Sequence, residues 1–307
     1  MNDATTAQRV WDAGRRVDLY GTLGPLRRGG GDPAHLLDRD GTFWWACVTP
    51  DGAGTVALSP TGPTSVLARG WGPGRHWLLD GVPRLLGAQD DWSVLDTSAH
   101  RLLHDVRRAR PGLRLACTGL VMDALVPAVL EQRVTGGEAR LSWRGLLYRF
   151  GTPAPGPVPS LRVPPTPKAL LDVTTWDWHR LGVDGQRQRA IRAAATVANR
   201  IQECASMAAT DATRRLLSVP GIGRWTAAET TQRALGDPDS VSVGDYHLKD
   251  VVVHFFTGRA RGTDEEMLEL LAPWAGSRQR VMRLIESSGV HAPRFGPRYA
   301  PLDIRAM

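Results

Sequence analysis

Cysteine is scarce, three in 307 residues. Cys47, Cys117 and Cys204 lie far apart and have no C-x-x-C partner, which excludes a disulfide framework and a cysteine zinc site and points to a reducing compartment. Long apolar runs are missing as well. No stretch approaches the ~18 apolar residues of a membrane span, and the opening Met1-Asn2-Asp3-Ala4 lacks the apolar centre of a signal peptide. The expected location is therefore cytoplasmic and nucleoid-associated, with no membrane partner. Acidic residues fall short of basic ones: 31 Asp and Glu against 38 Lys and Arg give a formal charge of +7. That balance favours a polyanionic partner, nucleic acid first among them. Arginine carries the excess, in Arg107, Arg108, Arg110 and Arg114 and again in Arg187, Arg189 and Arg192. Its planar fork suits phosphate.

The first 95 or so residues read as mixed strand and turn. Phe43 to Val48 and Thr55 to Leu58 flank Thr49-Pro50-Asp51-Gly52-Ala53-Gly54, a hairpin signal between aromatic and β-branched runs. A helix is predicted over Arg75 to Leu86. From about Ala99 the pattern turns helical, with apolar spacing over Gly119 to Arg133 that Pro127 should kink. The segment 151–167 holds prolines at 153, 155, 157, 159, 164, 165 and 167, so it reads as an extended, stiff connection. Helices follow over Thr166 to Leu171 and Val183 to Gln202, the latter rich in arginines that lack acidic partners.

The most informative stretch runs from Leu216 to Ala228, with Gly244-Asp245-Tyr246-His247-Leu248 downstream. Pro220 stops one helix, Gly221 and Gly223 permit a tight bend, and Thr226 to Arg233 forms a second helix. A glycine-bearing turn feeding a helix N-terminus points main-chain N–H groups outward, which makes an anion site. No Lys-Ser/Thr pair follows and the G-x-G-x-x-G spacing is missing, so neither nucleotide-binding loop fits. A backbone phosphate of DNA or RNA remains. After the turn at Gly236 to Ser240, a helix is expected from Tyr246 to Phe256, Thr263-Asp264-Glu265-Glu266 forms a capping box, and Gln279 to Ser287 begins the last helix. An aspartate before a helix is by default an N-cap worth ~1 kcal/mol, so Asp245 on its own has two readings.

Val219 to Ala227, followed at this spacing by Val243-Gly244-Asp245-Tyr246, resembles the helix-hairpin-helix DNA glycosylase superfamily, and within it the bacterial 3-methyladenine DNA glycosylase II type, over roughly Thr118 to Leu284. The resemblance implies a mostly α fold of two helical subdomains with an N-terminal α+β subdomain. The segments would be 1–95 for the α+β part, 96–291 for the helical glycosylase domain with its hairpin at 216–233, and 292–307 for a basic tail. It makes Asp245 the catalytic carboxylate. It places Trp225, Gln132 and Tyr246 at the base pocket. Gly221, Gly223, Arg224 and Thr226 would bind DNA. Carbonyls of Leu217, Val219 and Ile222 would hold a structural Na or K ion, the sole cofactor implied. The iron–sulfur cluster of some relatives needs four closely spaced cysteines that this chain lacks.

Relatives that also nick the strand carry a lysine where this chain has Trp225, so the expectation is a monofunctional enzyme that leaves an abasic site. An electron-poor alkylpurine would stack on the indole for ~1–3 kcal/mol. Lys249 reads as a surface or phosphate-binding residue. The better-known relatives keep another pocket tryptophan in the last helix; here Trp274 falls earlier and Val281 to Arg283 occupy that place. Met122 and Leu125 are the nominations for the residue that fills the gap left by a flipped base. The implied partner is double-stranded DNA containing damaged bases, bound by a monomer. The alternatives are a glycosylase for another damaged base and a non-catalytic DNA-damage-binding protein.

Overall fold

The computed structural model describes residues 6–293, so the tail expected over 292–307 lies, from residue 294 on, outside the described residues. Near the N-terminus, β1 (Thr6–Asp12), β2 (His35–Leu37), β3 (Phe43–Thr49), β4 (Gly52–Pro60) and β5 (Ser65–Trp71) make a five-stranded antiparallel sheet in the order β1-β5-β4-β3-β2. The β3–β4 turn is tighter than the sequence suggests. Thr49 pairs with Gly52, leaving Pro50-Asp51 as the loop, while Ala53 and Gly54 pair with Val48 and Cys47 as strand. Gly52 sits at φ 111°, where a side chain would be strained, and that lets the chain reverse in two residues.

Successive side chains on a strand point to opposite faces. Phe43, Trp45, Cys47, Val56 and Leu58 face α1 (Leu19–Leu23) and α2 (Arg75–Leu85), which contribute Leu23, Leu78, Val82 and Leu85. Trp44, Ala46 and Ala57 face the other way and are just as dry, because Leu161 and Val163 cover them. Those two residues come from the proline-rich crossing, which folds on itself as β6 (Thr152–Pro153) and β7 (Arg162–Val163). Covering both faces explains why β3 is apolar at nearly every position instead of alternating.

The remainder is helical: α3 (Arg101–Ala109), α4 (Val121–Leu130), α5 (Gly136–Phe150), α6 (Pro167–Asp172), α7 (Thr175–Arg180), α8 (Gly185–Thr196), α9 (Ala198–Gln202), α10 (Ala209–Leu217), α11 (Arg224–Ala234), α12 (Leu248–Thr257), α13 (Asp264–Leu271) and α14 (Arg278–Ser287). Two apolar cores divide them. One is built around α4 and takes in Leu146, Trp178, Ile191, Leu216 and Ala227 from α5, α7, α8, α10 and α11. The other joins Leu103 of α3 to Val252, Met267, Val281 and Leu284 of α12, α13 and α14.

Several boundaries shift from their expected places. Helix α4 runs on through Pro127, ends at Leu130 and closes with Gln132 N–H on the Val129 carbonyl. The expected helix over Val183 to Gln202 is two helices. The Thr196 hydroxyl donates to the Arg192 carbonyl and Val197 leaves helical geometry at φ −112°, ψ 25°, as a β-branched pair in a helix end tends to do. Helix α5 was not expected at all, although Thr135 and Glu138 form a capping box as clear as that of Thr263 and Glu266. Among the described residues no helix is long and apolar enough to cross a membrane.

Candidate active site and nucleic-acid interface

The hairpin lies where the two helical cores meet. Leu216 ends α10 in the first core; Ser218 N–H and Val219 N–H then close on the carbonyls of Arg215 and Leu216, and Ile222 N–H returns to the Val219 carbonyl. Gly221 is at φ 85°, and a Cβ there would stand 2.6 Å from the Ala190 Cβ of α8. Left-handed backbone and close approach together require glycine at this position. Gly223 is different from expectation. At φ −96°, ψ −179° it is ordinary extended chain with open space around it, so nothing in the backbone demands glycine. It is the N-cap of α11 and offers no side-chain cap, which leaves the first N–H groups of that helix without a side-chain acceptor and with the helix dipole behind them. Arg224 is exposed at this end.

Gln132 braces the bend. Its Nε2 donates to the Gly221 carbonyl at 3.0 Å and to the Thr226 hydroxyl at 2.8 Å, Thr226 being 2% exposed. Its amide nitrogen is thus committed to holding the hairpin on the end of α4. Of the three carbonyls assigned to a cation, that of Val219 already accepts from Ile222 N–H.

Asp245 reaches the hairpin from the second core. Gly244, at φ 89°, turns the chain, and its N–H donates to Asp264 Oδ2 at 3.1 Å. Upstream, α11 itself holds the approach: Gln232 Nε2 donates to the Ser240 carbonyl and to Ser242 Oγ, both at 3.1 Å, and the Ser242 hydroxyl donates to Glu229 Oε1 at 2.5 Å. The helix whose start carries the uncapped N–H groups therefore also fixes the segment that delivers the carboxylate. Asp245 Oδ1 accepts from the N–H of His247 (2.8 Å) and Leu248 (2.9 Å), which caps α12; that helix begins at Leu248, two residues later than expected. Oδ2 accepts from Trp225 Nε1 at 3.0 Å. The carboxylate is half-buried and makes no ion pair among the described residues. Capping and the bond to Trp225 thus fall on different oxygens of one side chain.

Trp225, half-buried, is oriented by that bond between the hairpin and Asp245. Tyr246 is 79% exposed and meets the His247 ring edge-on at 4.8 Å, so it stands at the surface beside Asp245. Lys249 directs its Nζ at the Asp245 main-chain carbonyl, 3.4 Å away. Trp274 stacks on Phe256 and donates to the Asp96 carbonyl, and Val281 and Met282 are buried, so α14 brings no aromatic ring to the site. Neither nominated gap-filler is free: Leu125 is 0% exposed and Met122 packs on the first core.

One residue escaped the sequence reading. Arg133 follows Gln132, is exposed, and at φ 54° is the sole non-glycine at positive φ among the described residues. Such strain costs ~1–2 kcal/mol and persists where the surroundings impose it, often at functional sites. Its neighbour Gln132 is pinned to Gly221 and Thr226. The arginines of α8 divide. Arg187 is buried against Asp184 and the carbonyls of Leu130 and Gly182, and Arg192 binds the carbonyls of Leu171 and Val173, so both are structural. Arg189 and Arg200 remain exposed.

An α+β sheet subdomain beside two helical cores, with a hairpin and an aspartate at their seam, is the fold of the helix-hairpin-helix DNA glycosylases. The 3-methyladenine DNA glycosylase of Archaeoglobus fulgidus superposes with a TM-score of 0.74 at 18% identity, over 91% of this chain and 98% of that one. The Clostridium acetobutylicum 8-oxoguanine glycosylase/lyase, bound to duplex DNA with cytosine opposite 8-oxoguanine, gives 0.69 at 10% identity over 92% and 96%. The Schizosaccharomyces pombe 3-methyladenine DNA glycosylase in complex with abasic DNA gives 0.52 at 18% over 66% and 97%. No protein-family model and no curated protein sequence matches the chain.

Proposed function

We propose that this protein is a monofunctional DNA glycosylase that excises alkylated purines of the 3-methyladenine and 7-methylguanine kind, hydrolysing the N-glycosidic bond after flipping the base. The observation that carries the reading is the Asp245 carboxylate. It is half-buried, free of any ion pair among the described residues, and bonded to Trp225 two positions past the uncapped N-cap of α11. As the glycosidic bond lengthens, C1′ gains oxocarbenium character, and a carboxylate beside it stabilises that charge and orients the attacking water. The uncapped N–H groups of α11 grip the neighbouring phosphate. Trp225 presents its ring to the flipped base, and Arg133 enters the gap the base leaves.

Trp225 provides no amine, and Lys249 turns its own toward a main-chain carbonyl. Reaction by a covalent imine is therefore not expected, and borohydride should trap no protein–DNA adduct. The direct test is mass-spectrometric identification of bases freed from methylated genomic DNA. Release of 3-methyladenine and 7-methylguanine supports the proposal. Release of a different lesion from a panel of single-lesion duplexes would move the specificity. Tight binding with no release would leave only a binder.

A further inference from the structure

A second cationic site lies on α3, away from the hairpin. The arginines singled out by the sequence and left unused by the active site, Arg107, Arg108, Arg110 and Arg114, line one cavity of about 680 Å3 together with Arg15. Its acidic members are already engaged. Asp90 holds the Arg280 guanidinium at 2.7 Å through Oδ1, and its Oδ2 accepts from the Trp92 indole (2.5 Å) and Leu115 N–H (2.7 Å). Asp91 accepts from Ser93 N–H at 2.8 Å. Arg110 meets Asp18 only at 3.5 Å, and Arg108 is exposed with no ion pair among the described residues. Two of the lining side chains, Arg15 and Arg114, also carry an N–H (Nη1 and Nε respectively) that is shielded from water and has no acceptor among the described residues. Burial and the neighbouring Arg15 charge both push the Arg114 guanidinium below its ordinary value. Crowded like charges cost stability that an anion in the cavity would offset.

The class of anion follows from what the walls still offer. The Trp92 ring is 6% exposed and lies under the Arg114 guanidinium, 5.8 Å from its centroid, and its indole N–H is taken, so Trp92 does not offer itself to stack a base. What remains is arginine: Arg15, Arg107 and Arg114 are held in place by main-chain carbonyls and supply charge, while Arg108 and Arg110 are exposed and present forks that match phosphate oxygens. The volume falls within the ~300–1,000 Å3 of ordinary ligand sites and exceeds what one phosphate needs.

We propose that this cavity is a binding site for two or more linked phosphates, read by charge and not by base. The inference is independent of the catalytic reading. Linked phosphates come either from the DNA backbone or from a free polyphosphate, and the experiment separates the two. Tripolyphosphate is titrated calorimetrically into the full chain, and the salt dependence of binding to an undamaged duplex is measured alongside. Both are repeated on the double variant Arg108→Ala, Arg110→Ala, whose altered side chains are exposed, and on Arg101→Ala, an exposed arginine of the same helix outside the cavity.

The double variant should bind tripolyphosphate about tenfold or more weakly while Arg101→Ala matches the parent, since each charge-assisted hydrogen bond is worth ~1.4 kcal/mol or more. If the duplex salt slope also falls, by about 1 for each phosphate that is no longer neutralised, the source is DNA. An unchanged slope assigns the site to a free polyphosphate. Tripolyphosphate affinity and salt slope that are both the same in the double variant and in Arg101→Ala would overturn the proposal.

Discussion

Replacing Asp245 by asparagine separates the two tasks assigned to that side chain. The asparagine Oδ1 can still accept from His247 and Leu248 N–H, so the cap on α12 persists. The other atom becomes an NH2 facing Trp225 Nε1, donor against donor. Because the site is only half-buried, water can take over that donor, and the stability loss should stay near ~1 kcal/mol. Catalysis should suffer far more. A unit negative charge ~4 Å from a developing unit positive charge, at an effective dielectric of ~20, is worth about 4 kcal/mol. That corresponds to roughly a thousandfold in rate. The assay is single-turnover release of base from an alkylated duplex, paired with a binding titration on the same duplex and a denaturant unfolding curve. Expected for Asp245→Asn are a rate lower by about 10³, a binding constant within severalfold of the parent, and a near-parental unfolding midpoint. Asp245→Ala should lose the same rate and a further ~1 kcal/mol of stability with the cap. Excision retained within tenfold in Asp245→Asn would refute the electrostatic role and reduce Asp245 to a helix cap.

Gly221→Ala should destabilise by roughly 2–4 kcal/mol in urea unfolding, because it adds left-handed strain to a Cβ 2.6 Å from Ala190, whereas Gly223→Ala should cost no more than ~1 kcal/mol. Equal losses would mean that the bend is not what distinguishes them. Arg133→Gly removes the strain at φ 54° and should leave stability unchanged or raise it by up to ~1 kcal/mol, yet slow excision from duplex DNA while sparing a lesion in single-stranded DNA; equal excision from both substrates would remove Arg133 from the flipping step. Burial raises the Asp123 carboxyl to about 6, with the Asp32 charge adding to the effect. A raised folded value means stability present below the unfolded value near ~4 and lost as pH climbs through about 6, about 3 kcal/mol in all. Asp123→Asn should therefore be the more stable protein at pH 8 and show a flatter profile between pH 4 and 6; a thermal-melt series that finds it less stable at pH 8 would contradict this.

How far the sequence alone could be read depended on how local each cause was. The hairpin was legible because Pro220 and Gly221 punctuate the chain by their own backbone chemistry, and the Thr263 capping box because its two partners stand three residues apart. Gln132 was placed at the site, but its actual partners are 89 and 94 positions away, so no spacing rule could name them. The expectation that the α8 arginines lack acidic partners fails at Arg187: Asp184, three positions before it and visible in the sequence, pairs with it at 2.7 Å, and the distant Leu130 carbonyl, which no spacing shows, completes its burial. Arg133 was missed because its distinction is a dihedral angle, with no mark in residue type. The Gly223 reading failed because glycine is informative only where φ or crowding demands it, and at that position neither does.

The proline-rich crossing carries a consequence for synthesis. When the ribosome has delivered β5, the sheet has its strands but not its outer wall, and Trp44, Ala46 and Ala57 wait unroofed until Leu161 and Val163 emerge behind α2 to α5. The N-terminal portion therefore cannot mature ahead of the helices that separate it from its lid. A fragment ending at residue 95 should come off the ribosome with Trp44, Ala46 and Ala57 exposed.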